Sequence, residues 1–171
     1  MQSHAHVYEI AVRGKPQSVL SLLPPDHVFK NGLPGAAILG SMKQAPNAGG
    51  EITADNVVPN PGFVTFLQEF ISRNTPADPA FQRAARKQGE GWVYVIDGRT
   101  PTPKGDVPLE DVVGGFRVQE GVLVEGSYHP MNSYRVIGAN GVMRLDGFLL
   151  PRLIDALQQL RVEDGAGEAA R

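Results

Sequence analysis

Two charged residues, Glu90 and Arg13, could each act on a bound ligand. Glu90 follows Gln88 in a Gln-x-Glu arrangement just before an apolar run, and its carboxylate could polarise a sugar hydroxyl or stabilise a developing cation. Arg13, at the end of the first apolar segment, could bind a phosphate through two parallel hydrogen bonds. The alternatives are a surface side chain at a helix end for Glu90 and a solvated cation for Arg13.

Two acidic residues in a turn form a second candidate pair. Glu110 and Asp111 follow Pro108 closely and could be catalytic carboxylates. Acidic residues in such turns usually bind backbone amides, so a structural role is the alternative.

The remaining motifs exclude several kinds of chemistry. The chain has no cysteine, which removes disulfides, thiolate zinc sites and a cysteine nucleophile. His4 and His6 would share one face of a strand, but no third ligand is suitably spaced, so no metal site is predicted. There is no G-x-S-x-G motif for serine hydrolysis. Gly114-Gly115 lies inside an apolar run and predicts a bulge or a close backbone approach.

Length and composition indicate one folded domain. The 171 residues are 42% hydrophobic and 20% charged, which is typical of a globular chain. Twenty glycines and fourteen prolines favour many turns and short elements. We predict a single α+β domain over residues 1–160 and a flexible polar tail over residues 161–171.

Charge and hydropathy limit the possible partners and locations. The formal net charge is −2 and the basic residues are scattered, so nucleic-acid binding is not predicted. No apolar run approaches the roughly twenty residues of a membrane span. The first residues lack the basic and apolar regions of a signal peptide. We expect a protein that is cytoplasmic, or exported without a cleaved signal peptide.

The first third of the chain predicts little regular structure after an initial strand. His6 to Val12 alternates and is rich in strand-forming residues. Gln17 to Leu23 is compatible with a short helix that Pro24 ends. Residues 26–60 are interrupted by glycine and proline and are expected to be loop-rich, with one short helix near Ala36 to Met42.

Three helices are indicated further along. Asn60 and Asp78 each precede a proline, as a capping residue precedes the first helical position, and predict helices from Pro61 to Ser72 and from Pro79 to Lys87. A leucine-rich face predicts a C-terminal helix from Phe148 to Leu160.

Three strands are predicted between these helices. Trp92 to Ile96 is an unbroken apolar run, typical of a central strand buried on both faces. Val112 to Val118 and Val122 to Val124 predict a hairpin joined by the three residues Gln119-Glu120-Gly121.

The segment from Val107 to Val124 resembles the late sheet of ADP-ribosylating toxins of the cholera and heat-labile enterotoxin type. In both, a proline-bearing turn leads into a hairpin of the form apolar–x–Gly–aromatic–x–Val–x–x–Gly. The resemblance implies a split two-sheet core that binds NAD in the cleft between the sheets. It also implies a toxin or effector that transfers ADP-ribose, with Arg13 and Glu90 as catalytic residues and Tyr8 and Tyr94 beside the NAD.

The sequence departs from that family at its catalytic positions. Glu9 stands where the family's first-strand arginine would fall, and the family's Ser-Thr-Ser strand is missing. These departures, with the irregular stretch over residues 26–60, suit an alternative hypothesis. The chain would then be a non-catalytic interaction protein, such as an immunity protein or another module that binds a cognate protein partner.

Overall fold

An antiparallel meander of four strands begins the fold, as seen in a computed structural model that describes residues 4–162. The elements follow in this order: β1 (His6–Val12), β2 (Lys15–Ser21), α1 (Pro25–Asn31), β3 (Ile38–Met42), β4 (Val57–Pro59), α2 (Pro61–Asn74), α3 (Pro79–Gln88), β5 (Gly91–Ile96), β6 (Val112–Gln119), β7 (Val122–Leu123), β8 (His129–Pro130), β9 (Ile137–Gly138), β10 (Gly141–Val142) and α4 (Leu149–Gln158). The first sheet has the order β1-β2-β3-β4, with all neighbours antiparallel.

A tight hairpin joins the first two strands. Arg13 (φ 53°) and Gly14 (φ 79°) both have positive φ, as a two-residue turn that matches strand twist requires. The first strand is confirmed over its predicted residues. The helix expected from Gln17 to Leu23 is wrong, because this segment pairs with β1 on one side and β3 on the other.

The segment over residues 26–60 is more regular than expected. It holds α1 and the last two strands of the first sheet. The short helix expected near Ala36 to Met42 is a single 3₁₀ turn, Gly35–Ala37, that leads directly into β3. The Asn60 amide donates to the carbonyls of Gly35 and Ile38, and these long-range bonds fix this conformation.

The three predicted helices are confirmed, with small differences at their ends. The Asn60 side chain accepts from the Gly62 amide at the start of α2, and Asp78 accepts from Ala80 at the start of α3. Both helices extend slightly past the predicted Ser72 and Lys87 ends because the chain has no breaker there. α4 lies inside the predicted range, and most of the predicted tail, residues 163–171, lies outside the described residues.

The second sheet is built around β6. This strand pairs with β5 along one side and with the short β7 and β8 along the other. The predicted hairpin is confirmed, but its turn has two residues, Glu120 (φ 51°) and Gly121 (φ 75°), since Gln119 pairs with Val122. A two-stranded ribbon, β9 with β10, follows.

One hydrophobic cluster contacts both sheets and the helices between them. Its members include Leu20 and Leu39 from the first sheet, Phe63 from α2, Phe116 from the second sheet and Leu153 from α4. The fold is therefore α+β with antiparallel sheets, while the finer split-core arrangement of the toxin family stays a prediction. None of the described helices is long and apolar enough to cross a membrane.

Candidate functional site

The two residues predicted to be catalytic lie beside different sheets. Arg13 is exposed in the turn between β1 and β2. Glu90 precedes β5, and its Oε1 accepts a hydrogen bond of 2.9 Å from the Glu120 backbone amide. Glu90 therefore fastens the β6–β7 turn to the end of α3, and among the described residues no hydrogen bond or ion pair joins it to Arg13.

The two tyrosines predicted to bind NAD lie on strands of different sheets. The Tyr8 hydroxyl donates to the Leu23 carbonyl at 2.5 Å, and partial burial raises the pKa of Tyr8 to about 12. Tyr94 lies on β5 in the second sheet, with its side chain exposed. Tyr8 is therefore bound within the first part of the chain, whereas the Tyr94 side chain is about half exposed on the second sheet.

A buried arginine is the polar centre of the second half of the chain, and the sequence did not single it out. Arg99 is only 6% exposed, and its Nε donates to Asp111 Oδ1 at 2.7 Å. Its two terminal nitrogens donate to four backbone carbonyls, those of Glu110, Arg135, Val136 and Gly141. All five N–H groups of the guanidinium are thus occupied within the chain.

The carboxylates around Arg99 are equally well paired. Asp97 accepts from the Arg99 amide at 3.0 Å, the Tyr134 hydroxyl at 2.8 Å and the Arg144 amide at 2.9 Å. Burial raises the pKa of Asp97, and these hydrogen bonds and the Arg99 charge act against that rise. Burial and the neighbouring carboxylate hold the pKa of Tyr134 well above its usual value. Because these side chains are hydrogen-bonded to each other and to the backbone, the network stabilises the local conformation. Few of its donors and acceptors remain to bind a ligand.

The acidic turn belongs to this network. Asp111 binds Arg99 and, through Oδ2, the Thr100 hydroxyl at 2.5 Å. Glu110 Oε2 accepts from the Ala139 amide at 3.0 Å. Both side chains therefore bind groups of their own chain, which is the structural role given above as the alternative to catalysis.

The outer face of the second sheet is the surface that the sequence did not anticipate. The expectation that Trp92 to Ile96 is a central strand buried on both faces is wrong, because β5 is an edge strand paired only with β6. Trp92, Tyr94 and Ile96, which we call the β5 stripe, are 42%, 46% and 41% exposed. Among the described residues, no hydrogen bond reaches the outer backbone edge of this strand.

Glycine lets the rings of the β5 stripe lie close against the sheet. Tyr94 is opposite Gly115, and a Cβ at Gly115 would lie 2.9 Å from two atoms of the Tyr94 ring and 3.4 Å from Trp92. On the other face, the Tyr128 ring occupies the space beside Gly114. The register also shifts between Val95 and Ile96. This shift leaves Val113, next to the glycine pair, without a partner on β5. Of the two alternatives predicted for the glycine pair, the close approach is therefore confirmed at Gly114 and Gly115 themselves.

An arginine and a histidine flank the stripe. Arg117 is opposite Trp92, and His129 is opposite Gly115, so all four positions share the outer face. Arg117 and His129 are exposed, and Arg117 makes no ion pair within the described part of the chain. The face combines exposed aromatic area with one cation, Arg117, at its border.

Comparisons with protein-family models, with curated proteins and with solved structures found no match. Within residues 4–162, no group of three or more His, Asp or Glu side chains is placed to hold a metal ion. The function must therefore be inferred from the chain's own geometry.

Proposed function

We propose that this chain is a non-catalytic protein-interaction module whose binding surface is the β5 stripe together with the outer edge of β5. The observation that carries the proposal is the row of three large side chains, each more than 40% exposed, on an edge strand that is paired on one side only. Contiguous apolar area at a protein surface is typical of protein–protein contacts. An open strand edge can accept a further strand through backbone hydrogen bonds.

The edge of β5 lacks the features that normally prevent strand pairing. Its residues, Gly91–Ile96, include no charged side chain and no proline. By contrast, β4 is three residues long and ends in Pro59, and β1 carries Glu9 at its centre. The opposite edge of the second sheet consists of β7 and β8, which have two residues each, so β5 is better suited to a partner strand than β1, β4, β7 or β8.

The aromatic side chains of the β5 stripe are also preorganised for binding. Contact with Gly115 holds the Tyr94 and Trp92 rings against the sheet, so little side-chain freedom remains to be lost on association. Tyr and Trp are the residues that most often dominate binding energy at interfaces. The Arg117 charge at the border would favour a partner with a neutral or acidic surface.

The NAD-dependent hypothesis stays a prediction that the resemblance implies. It requires Arg13 and Glu90 to act on one ligand, whereas they lie beside different sheets and Glu90 already binds the Glu120 amide. Isothermal titration of the full chain with NAD separates the two hypotheses. Binding that both Arg13→Ala and Glu90→Ala abolish would support the enzyme, and the absence of binding would support the interaction module.

Photo-crosslinking in cells tests the proposed surface directly. A benzoylphenylalanine in place of Tyr94 should form adducts with protein, whereas one in place of Phe29, which is 95% exposed on α1, should not. Adding Ile96→Lys to the first variant should reduce its adducts about tenfold, because a buried lysine is costly in an apolar interface. Equal adducts from both positions, or no effect of Ile96→Lys, would refute the proposal.

A further inference from the structure

We infer that the partner strand is β5 of a second copy of this chain, and that the two copies form a symmetric dimer with a continuous sheet across the interface. This inference rests on the proposed function, since it names the partner of the same surface. It follows from how well this strand complements itself.

An antiparallel pair centred on Tyr94 matches side chains of compatible kind. With Tyr94 on the two-fold axis, Trp92 of one copy lies opposite Ile96 of the other. Val93 then lies opposite Val95, on the inner face of the sheet. Every pair is apolar or aromatic, and a two-fold axis repeats each pair.

The charges of the outer face do not oppose this arrangement. Arg117 lies one strand in from the edge, and His129 lies one strand further. Because Arg117 is opposite Trp92, two copies of Arg117 would lie about 14 Å apart across the strands and about 14 Å apart along them, which is about 20 Å in all. That separation exceeds the screening length of about 8 Å at physiological salt, and the joining strands carry no charge.

The same features disfavour a foreign strand of ordinary composition. A strand that pairs here needs bulky side chains on the outer face and valine-sized side chains on the inner face. Val95 is buried and Val93 is half-buried on that inner side, so a charged residue opposite them would be desolvated without a counter-ion. β5 itself meets this requirement.

Sedimentation velocity of the full chain gives the first test. A six-residue strand forms a small interface, so we expect a dimer with a Kd of about 1–100 μM. Tyr94→Lys places two cations on the axis and should weaken the dimer at least about twentyfold. Val7→Lys, at a similarly exposed position on the β1 edge, should leave it unchanged. A wild-type chain that stays monomeric at about 500 μM would overturn the inference.

Cysteine crosslinking gives a second test that does not depend on disrupting the strand. The chain has no cysteine, so a single Tyr94→Cys creates one thiol. On the axis, its Cα would lie about 5 Å from its copy, within the range of a disulfide. In Trp92→Cys the two thiols would be about 14 Å apart along the strands, beyond that range. Disulfide-linked dimers should form from Tyr94→Cys, and equal dimer formation by both variants would contradict the register.

These outcomes are distinguishable from those of the proposed function. If the chain is monomeric and Tyr94→Cys does not crosslink, while photo-adducts at position 94 contain a different protein, the dimer is refuted and the interaction module stands. If position 94 gives no adducts at all, both are refuted.

Discussion

Arg99 stabilises the fold by donating hydrogen bonds to several backbone carbonyls at once. Four of its hydrogen bonds go to carbonyls of the turn before β6 and of the segment around β9 and β10. That segment has little regular structure of its own, so its carbonyls depend on side-chain donors. The guanidinium therefore stabilises both the second sheet and the ribbon beside it.

Arg99→Met should destabilise the protein by about 3–5 kcal/mol, since removing one member of a buried ionic network leaves its partners unpaired. Asp111 would lose its cation, and four carbonyls would lose their donors. Urea denaturation followed by circular dichroism measures the change. Arg117→Met is the control, because Arg117 is exposed, and should change stability by no more than about 0.5 kcal/mol. Equal effects of the two substitutions would contradict the role of Arg99.

Three partly buried tyrosines make the stability of the chain depend on pH in the alkaline range. Burial raises the pKa values of Tyr8, Tyr128 and Tyr134, that of Tyr8 to about 12. In the unfolded chain these groups ionise near pH 10. Above that pH the unfolded state releases protons that the folded state retains, so the free energy of unfolding falls as pH rises.

For Tyr8, the contribution should be complete below about pH 10 and lost as the pH rises to about 12. Tyr8→Phe removes this group and should make the decline in stability over that range smaller than in the wild type. At neutral pH the same variant should lose about 1 kcal/mol, because its hydrogen bond to Leu23 is gone. Urea denaturation at a series of pH values measures both effects. An unchanged slope in Tyr8→Phe would show that Tyr8 ionises alike in both states.

At the scale of elements, the glycine pair of β6 sets how closely both faces of the sheet are covered. Tyr128 packs over Gly114 on the inner face and contacts Gln68 through its hydroxyl. Tyr94 packs over Gly115 on the outer face. A side chain at either glycine would lift a ring away from the strand.

Gly114→Ala should cost about 1–3 kcal/mol in stability, because its methyl group would overlap the Tyr128 ring. In a Tyr128→Ala background the same substitution should cost less than about 0.5 kcal/mol, since the ring is absent. Gly147→Ala, where nothing lies within 4 Å of the new Cβ, is the matched control and should have little effect. Equal costs of Gly114→Ala in the two backgrounds would show that the ring is not the obstacle.

The elements differ in how far they could be predicted. α2 and α3 were predictable because each begins with a capping side chain whose hydrogen bond is local, to an amide two residues away. β2 was not, because its strand conformation depends on pairing with β1 and β3 rather than on its own residues. For the candidate site, the sequence identified the aromatic strand and the glycine pair but assigned the strand to the wrong place in its sheet.

At the scale of the whole molecule, one core connects the two sheets. Leu67 of α2 is fully buried within the cluster that also includes Leu39 from the first sheet and Phe116 from the second. A shared core couples the unfolding of both sheets.

Leu67→Ala should lower the free energy of unfolding by about 2–5 kcal/mol. Far-ultraviolet circular dichroism reports all elements, and the fluorescence of Trp92, the single tryptophan, reports the second sheet. Both signals should have the same midpoint in the wild type and shift together in the variant. Separate midpoints would contradict the prediction of a single domain over residues 1–160.

The sequence by itself determined α2, α3 and α4, the first strand and the hairpin of β6 with β7, because caps, periodicity and turn residues act over a few positions. The tertiary structure alone decided the partners of Arg99, which lie up to 42 residues away along the chain. It also decided that β5 is an edge strand with Trp92, Tyr94 and Ile96 exposed. An apolar run shows that a strand has hydrophobic side chains on both faces. Whether other segments cover both faces depends on how the rest of the chain packs.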